Sequence, residues 1–190
     1  MARHKEFEPE AVLDEAISLF WERGYGRTSM SDLVERMGVH KRSMYDTFGD
    51  KRTLFLQALS KYAQREHMLQ RETANAQNCQ SAIRSLLESA IVPSLAHPAG
   101  CLLVNCAVED AAFDEDIARH VRATFAFTTS LFLQVIMRGQ EAGEIQQRYS
   151  AAHLAAQLFN TWLSVRVQVR AGVEVSCLRE VIDIALGQLN

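Results

Sequence analysis

The stretch that decides the fold is GYGRTSMSDLVERMGVHKRSMYDTFGDKRTLF, which runs from Gly24 to Phe55. Its apolar residues recur at helical spacing, and Gly38-Val39 interrupts the pattern near the middle. Glycine suits a tight break because it adopts a left-handed backbone without steric cost. The pattern predicts one short helix after the caps Thr28 and Ser29 and a second over about His40–Thr47. Together these two helices would form a helix-turn-helix at about residues 28–48.

The rest of the chain also predicts helices. Hydrophobic residues make up 48% of its 190 residues, only 3 prolines and 9 glycines punctuate it, and sustained period-two alternation is missing. We therefore expect an all-α protein of about nine helices. Besides the central pair, the expected helices cover about Pro9–Arg23, Asp50–Ala74, Gln80–Ala96 with a kink at Pro93, Cys101–Ala112, Asp114–Ala142, Ala151–Ala171 and Val175–Leu189.

The charge of the chain is distributed unevenly. The formal net charge is -3, which does not by itself suggest a nucleic-acid partner. Residues 36–52, however, hold five cations (Arg36, Lys41, Arg42, Lys51 and Arg52) and two acids (Asp46 and Asp50), a local charge of +3. Binding to phosphates depends on where the cations lie, so this segment is the candidate nucleic-acid surface.

The segment from Gly24 to Phe55 resembles the DNA-binding domain of the TetR-type (tetracycline-repressor-like) transcriptional regulators. The spaced matches to that family's pattern are Gly24, Tyr25, Thr28, Ser29, Leu33, Gly38, Val39, Met44, Tyr45, Phe48, Asp50, Lys51 and Leu54. Two residues depart from the pattern: His40 stands where the family usually has a capping serine, and Val34 replaces a common alanine. The resemblance implies a three-helix DNA-binding domain at residues 1–50 and a helical effector-binding and dimerisation domain at residues 51–190.

The resemblance also assigns roles to side chains near the turn. Hydroxyls and free N–H groups at the start of the second helix can hold a phosphate, and Arg42 has the fork that matches guanine in the major groove. Tyr45 and Lys51 are expected to contact the DNA backbone. The predicted DNA-binding residues are Thr28, Ser29, Ser31, His40, Lys41, Arg42, Ser43, Tyr45, Thr47 and Lys51.

The C-terminal two-thirds is implied to bind a small-molecule effector and to form a homodimer through its last two long helices. The candidate pocket residues are Cys101, Asn105, Glu109, Phe113, Phe125, Phe159 and Trp162. The candidate interface residues are Leu158, Trp162, Val165, Leu178, Val181 and Ile182. Apolar stripes on helices are also typical of the internal core of a single chain. A core role and a pocket or interface role therefore both stay open for these residues at this point.

Cysteine chemistry offers an alternative signal. Cys101 follows Gly100 at an expected helix start, where the helix dipole can favour a thiolate, whereas Cys106 has Glu109 and Asp110 nearby. Some members of the resembling family sense oxidants or electrophiles through a cysteine in this region. The leading hypothesis is thus a repressor released from a palindromic operator by a small molecule, and the alternative is a cysteine-based oxidant or electrophile sensor of the same fold.

Other classes of function find little support in the sequence. No signal peptide or membrane span is expected, which predicts a cytoplasmic protein with reduced cysteines and no membrane partner. No metal-ligand spacing, phosphate loop or nucleophile elbow is present. We therefore expect that the protein binds no metal and no cofactor and is not an enzyme. A thiol hydrolase using Cys101 and a helical interaction module without DNA binding are the competing hypotheses.

Overall fold

The computed structural model describes residues 8–76, 78–91 and 100–189, which form nine α-helices and no strand. These helices are α1 (Pro9–Arg23), α2 (Met30–Met37), α3 (Lys41–Phe48), α4 (Lys51–Thr73), α5 (Cys79–Glu88), α6 (Leu102–Glu109), α7 (Glu115–Glu141), α8 (Ala151–Arg170) and α9 (Val175–Gly187). The prediction of an all-α protein of about nine helices is confirmed. The expected kink at Pro93 lies outside the described residues.

Local sequence signals set the ends of the N-terminal helices. Ser29 caps α2 in a capping box: the Asp32 amide donates to the Ser29 hydroxyl at 3.1 Å, and the Ser29 amide donates to the Asp32 carboxylate at 2.8 Å. Gly38 ends α2 with φ 63°, in the left-handed region where a side chain would be strained. Asp50 caps α4 by accepting from the Thr53 amide at 2.7 Å. The helix-turn-helix is therefore fixed by local hydrogen bonds as well as by its core.

A first hydrophobic core packs α2 and α3 against α1 and α4. Phe20 of α1, Leu33 of α2, Met44 of α3 and Phe55 of α4 all lie in it, and Leu103 of α6 joins them. The buried face of α4 thus belongs to this core over its first half. The domain boundary predicted after residue 50 falls at the start of α4, whose first half packs in the same core as α2 and α3.

A second core is formed by α5, α7, α8 and α9. Five of the residues predicted for the dimer interface are buried in it: Leu158, Trp162, Val165, Leu178 and Ile182. Their apolar stripes face neighbouring helices of the same chain, which does not favour the predicted contact of these side chains with a second chain. Of the six predicted positions, only Val181 reaches the surface, with 38% of its area exposed. Within the described ranges, moreover, every helix is too short or too polar to span a membrane.

Polar contacts join α1 and α4 to the C-terminal helices. Arg52, at the start of α4, forms a bidentate ion pair with Asp114 at 2.7 and 2.9 Å and also contacts Asp116 at 2.6 Å. The indole N–H of Trp21 in α1 donates to the Gly100 carbonyl at 2.9 Å, just ahead of α6. A movement of α6 or α7 would therefore be passed to the helices that carry the helix-turn-helix.

Candidate DNA-binding site

Helix α3 presents polar side chains outward on a firmly anchored base. Met44 and Phe48 are buried in the first core, which fixes the rotation of the helix. Lys41, Arg42 and Tyr45 face outward. The Arg42 side chain is 88% exposed, and its ion-pair partner Asp46 lies 3.8 Å away at the limit of a contact. The guanidinium of Arg42 is therefore available to a partner in front of α3.

The other predicted residues at α3 differ in their exposure to solvent. Ser43 and Thr47 lie one turn apart and are half-buried at the edge of the exposed face. His40 is exposed and is the N-cap of α3, but its side chain makes no capping hydrogen bond. The first turn of α3 therefore lacks the side-chain hydrogen bond that a capping serine would provide.

The start of α2 differs from the prediction at Thr28. Thr28 is only 1% exposed, and its hydroxyl donates to the Gly24 carbonyl at 2.7 Å. The prediction that Thr28 contacts DNA is therefore wrong, because the side chain ties the turn to α1. The Ser29 hydroxyl is engaged with Asp32, and hydrogen bonds from Ser29 hold the pKa of Asp32 below its usual range. Ser31 is exposed, which leaves it the better placed of these hydroxyls for a phosphate.

Lys51 has a structural role that sequence patterns do not reveal. Its ammonium donates to the carbonyls of Tyr25 and Thr28, each at 3.0 Å, and lies 4.1 Å from the centre of the Tyr25 ring. These contacts brace the turn between α1 and α2 from the start of α4. Carbonyls and a ring do not neutralise the ammonium, so its positive charge still contributes to the field of this surface.

Ion pairs reduce the effective charge of the surface. Arg36 pairs with Glu15 at 3.0 Å and with Glu22 at 3.2 Å, and Arg52 is engaged by the two aspartates at the start of α7. The formal charge of +3 on residues 36–52 therefore overstates the unpaired positive charge that is available to a phosphate. The cationic surface rests mainly on Lys41, Arg42 and Lys51.

Three of the predicted pocket residues lie together, and one is misplaced. Phe125 of α7 and Phe159 of α8 have ring centres 5.4 Å apart, and Phe159 is stacked 6.0 Å from Trp162. Phe113 is 89% exposed in the turn before α7, so its assignment to a pocket is wrong. The helix ends ahead of it, which leaves no element to cover the ring.

Asn105 and Glu109 face the DNA-binding domain rather than an interior cavity. Both line a narrow gap against Tyr25 and the C-terminal end of α1, and the gap encloses only about 10 Å³. That volume is too small for an effector. In this structure they lie at the junction between α6 and the α1–α2 turn, and their role in a pocket stays a prediction.

The cysteines occupy contrasting environments. Cys101 is the N-cap of α6 as expected, but it is buried, and the Tyr62 hydroxyl donates to its sulfur at 3.7 Å. Burial and the nearby carboxylate of Asp110 raise the pKa of Cys106 far above its usual range. Cys177 is exposed on α9. Cys101 and Cys106 are thus both buried, and the contrast predicted between them stays a prediction.

Sequence analysis missed a buried polar cluster beside Cys101. Glu66 and Gln70 lie one turn apart on the inward face of α4, and Arg166 of α8 forms a buried ion pair with Glu66. The available signal was the spacing of Tyr62, Glu66 and Gln70 at four-residue steps within an otherwise apolar helix face.

The fold and the exposed face of α3 define a helix-turn-helix regulator. Residues 12–58 match the family model described as "Bacterial regulatory proteins, tetR family", and residues 79–184 match "Tetracyclin repressor-like, C-terminal domain". The chain therefore belongs to the TetR family of bacterial regulatory proteins, and the resemblance carried by Gly24–Phe55 is confirmed.

Relatives of known name support the same assignment. The HTH-type transcriptional regulator YezE of Bacillus subtilis is 30% identical over 195 residues, covering 100% of both chains. The HTH-type transcriptional repressor ComR of Escherichia coli is 28% identical and covers 97% of this chain and 90% of its own. A CifR cysteine mutant solved with 26-bp operator DNA has a TM-score of 0.88 at 26% identity, over 99% of this chain and 100% of that one. The reduced form of E. coli NemR, at 20% identity and a TM-score of 0.83 over 93% of each chain, shares the fold.

Proposed function

We propose that this protein is a ligand-responsive transcriptional repressor that binds a palindromic operator as a homodimer and leaves it when a small molecule binds. The observation that carries the proposal is the exposed, cationic face of α3 on a rigid base, with Arg42 almost fully accessible. The likeness to CifR, solved on its operator, and to the repressor ComR supports it.

In this proposal α3 enters the major groove. Arg42 would bind a guanine through its two parallel N–H groups, while Lys41, Ser43 and Thr47 approach neighbouring base edges. Tyr45, Ser31 and Ser29 would contact phosphates, with His40 at the rim and Lys51 adding its charge. Lys51 also keeps the α1–α2 turn in place, so part of its contribution is structural.

The second chain would pack on the outward faces of α8 and α9. Val167, Val181 and Ile184 are apolar residues exposed there. We place the interface on these residues instead of on the buried stripe that the sequence predicted. A two-fold axis at this surface would pair two recognition helices about 34–36 Å apart, one turn of DNA. An effector would act by stabilising a conformation with a different separation. Such a regulator acts on the chromosome, so we infer a cytoplasmic location and a binding role without catalytic turnover.

A cysteine-based sensor is the second candidate. The favouring observation is the environment of Cys101, which stands at the N-cap position of α6, accepts a hydrogen bond from Tyr62 and follows the Gly100 carbonyl held by Trp21 of α1. Oxidation or alkylation of this sulfur would disturb packing close to the DNA-binding domain. A bound small molecule and a modified Cys101 would then both change the packing of α6 against α1.

Selection of bound sequences from random DNA, followed by release assays, tests the proposal. We expect enrichment of a palindrome and release by a compound in the absence of any oxidant. Release by hydrogen peroxide that is lost in Cys101→Ser would favour the sensor, whereas failure to enrich any sequence would contradict both candidates.

A further inference from the structure

A surface groove runs along the second half of α7, beside the end of α4. It encloses about 660 Å³, and its lining extends along α7 from Phe127 to Glu141. Glu141 follows Phe127 by fourteen residues, which corresponds to about 21 Å of helix. No residue of α8 or α9 belongs to the lining, so this α7 groove and the proposed dimer surface use different helices. The α7 groove is therefore open to a partner about as long as a four-turn helix.

The floor of the α7 groove is apolar. Leu131 and Val135 lie one turn apart on α7 and are buried, and Phe127 is partly buried one turn before them. The Met137 side chain is 47% exposed beside this floor. Methionine is flexible and polarizable, so it adapts to the shape of a partner side chain. A partner that covers the floor with apolar side chains would remove this surface from water, which favours association.

Two arginines at the rim of the α7 groove give it a positive charge. The Arg71 guanidinium of α4 lies 5.1 Å from the centre of the Phe127 ring, and Arg138 of α7 donates to the Ala74 carbonyl at 3.1 Å. Within residues 8–76, 78–91 and 100–189, neither guanidinium forms an ion pair. Glu141 contributes one negative charge at the end of the lining. The excess of positive charge beside an apolar floor favours a partner that is both acidic and apolar.

The shape of the α7 groove favours a helical partner over an extended one. An extended peptide gains most of its affinity by adding a strand to a sheet edge, and the described part of the chain contains helices alone. A helix in a groove instead presents apolar side chains three and four residues apart to the floor. Acidic side chains on both sides of that apolar stripe would meet the two guanidinium groups at the rim.

We propose that the α7 groove is a docking site for an acidic amphipathic helix of a partner protein. Charge complementarity at the two arginines and the length of the apolar floor carry this assignment. Arg71 follows Lys51 by twenty residues, which is about 30 Å along α4. A partner helix in the α7 groove would therefore leave α3 free, and the regulator would hold its operator and the partner protein at the same time.

A designed peptide tests the proposal on the full chain. The probe is a helix of about fourteen residues, stapled because short helices are marginal in water, with a stripe of leucines flanked by glutamates. Its matched control contains lysines in place of the glutamates. Calorimetric titration should show that the acidic peptide binds and that the basic peptide binds at least about tenfold more weakly.

Charge reversal in the α7 groove locates the bound peptide. Arg71→Glu should weaken binding of the acidic peptide by about tenfold, because it removes an ion pair and adds a repulsion, and should strengthen binding of the basic peptide. Met137→Ser should weaken binding of the acidic peptide, since it removes apolar contact. Arg71 and Met137 are exposed, so both variants should fold. Arg148→Glu, at an exposed arginine outside the groove, is the matched control and should leave peptide binding unchanged.

Several results would overturn the proposal. These are no binding of the acidic peptide, equal binding of the basic peptide, and an unchanged affinity in Arg71→Glu. Binding of decanoate that is lost in Arg71→Glu, without binding of the peptide, would assign the α7 groove to a small anionic amphiphile instead. Association beyond a dimer that Arg71→Glu abolishes would assign it to a second copy of this chain. Operator binding is measured on the same variant and should equal that of the natural chain.

Discussion

At the scale of single residues, the outward face of α3 contains one side chain with both the shape and the freedom to recognise a base. Arg42 is highly exposed and only loosely paired with Asp46. Lys41 is also exposed, but an ammonium lacks the planar fork that binds guanine.

Arg42→Ala should therefore weaken binding to a selected operator by about 1–3 kcal/mol and relax the preference at one base position in each half-site. Arg148→Ala, at an exposed arginine far along the sequence from α3, is the control and should leave binding unchanged. Fluorescence anisotropy on the operator and on single-base variants measures both effects. Equal losses on every sequence would show that Arg42 contacts only phosphate.

Substitutions at Thr28 and Ser31 distinguish a hydroxyl with a structural role from a hydroxyl that faces DNA. Thr28→Val removes the donor to the Gly24 carbonyl inside the protein and should lower the free energy of unfolding by about 1–3 kcal/mol. Ser31→Ala should leave stability nearly unchanged and weaken DNA binding. Urea denaturation and anisotropy distinguish the two. A stable Thr28→Val protein with a specific loss of DNA affinity would restore the role that the sequence suggested.

At the scale of elements, the contact between α4 and α7 depends on ionised aspartates. Hydrogen bonds from Arg52 hold the pKa of Asp114 below its usual range. A lowered folded-state pKa stabilises the protein fully above the unfolded value of about 3.9, and this contribution is lost as pH falls through the folded-state pKa.

Arg52→Met should therefore be less stable than the natural chain near pH 7, and the difference should shrink as the pH falls below about 4. Thermal melts of both proteins across pH 3–7 measure it. A constant difference throughout that range would mean that Arg52 stabilises the junction through packing alone.

The helices were predictable from the sequence because their caps are local. Pro9 and Gly24 bound α1, and Ser29 with Asp32 starts α2, as short-range patterns indicate. The partners of the apolar faces were not predictable in the same way. The stripes of α8 and α9 are compatible with a dimer seam or an internal core, and only the tertiary arrangement shows that Trp162 and Val165 are internal. The buried ion pair of Glu66 with Arg166 likewise forms only when α4 and α8 are brought together.

At the scale of the whole molecule, assembly and folding should respond to different positions on α8 and α9. Ile184 is 67% exposed and Val165 is fully buried. Ile184→Glu should produce a folded monomer, because the charge would meet an apolar partner surface only in the dimer. Val165→Glu should instead unfold the chain. Light scattering coupled to size-exclusion chromatography, with circular dichroism, separates these results. An undisturbed Ile184→Glu dimer would place the interface elsewhere.

In the proposed complex, two copies of α3 bind one palindrome through a largely electrostatic contact. The most direct test is selection from random DNA with the purified natural chain, followed by titration of the enriched site at several salt concentrations. We expect two inverted half-sites about one helical turn apart, two chains bound per site, and affinity that falls steeply with salt. No enrichment, or a single half-site bound by one chain with little dependence on salt, would contradict it.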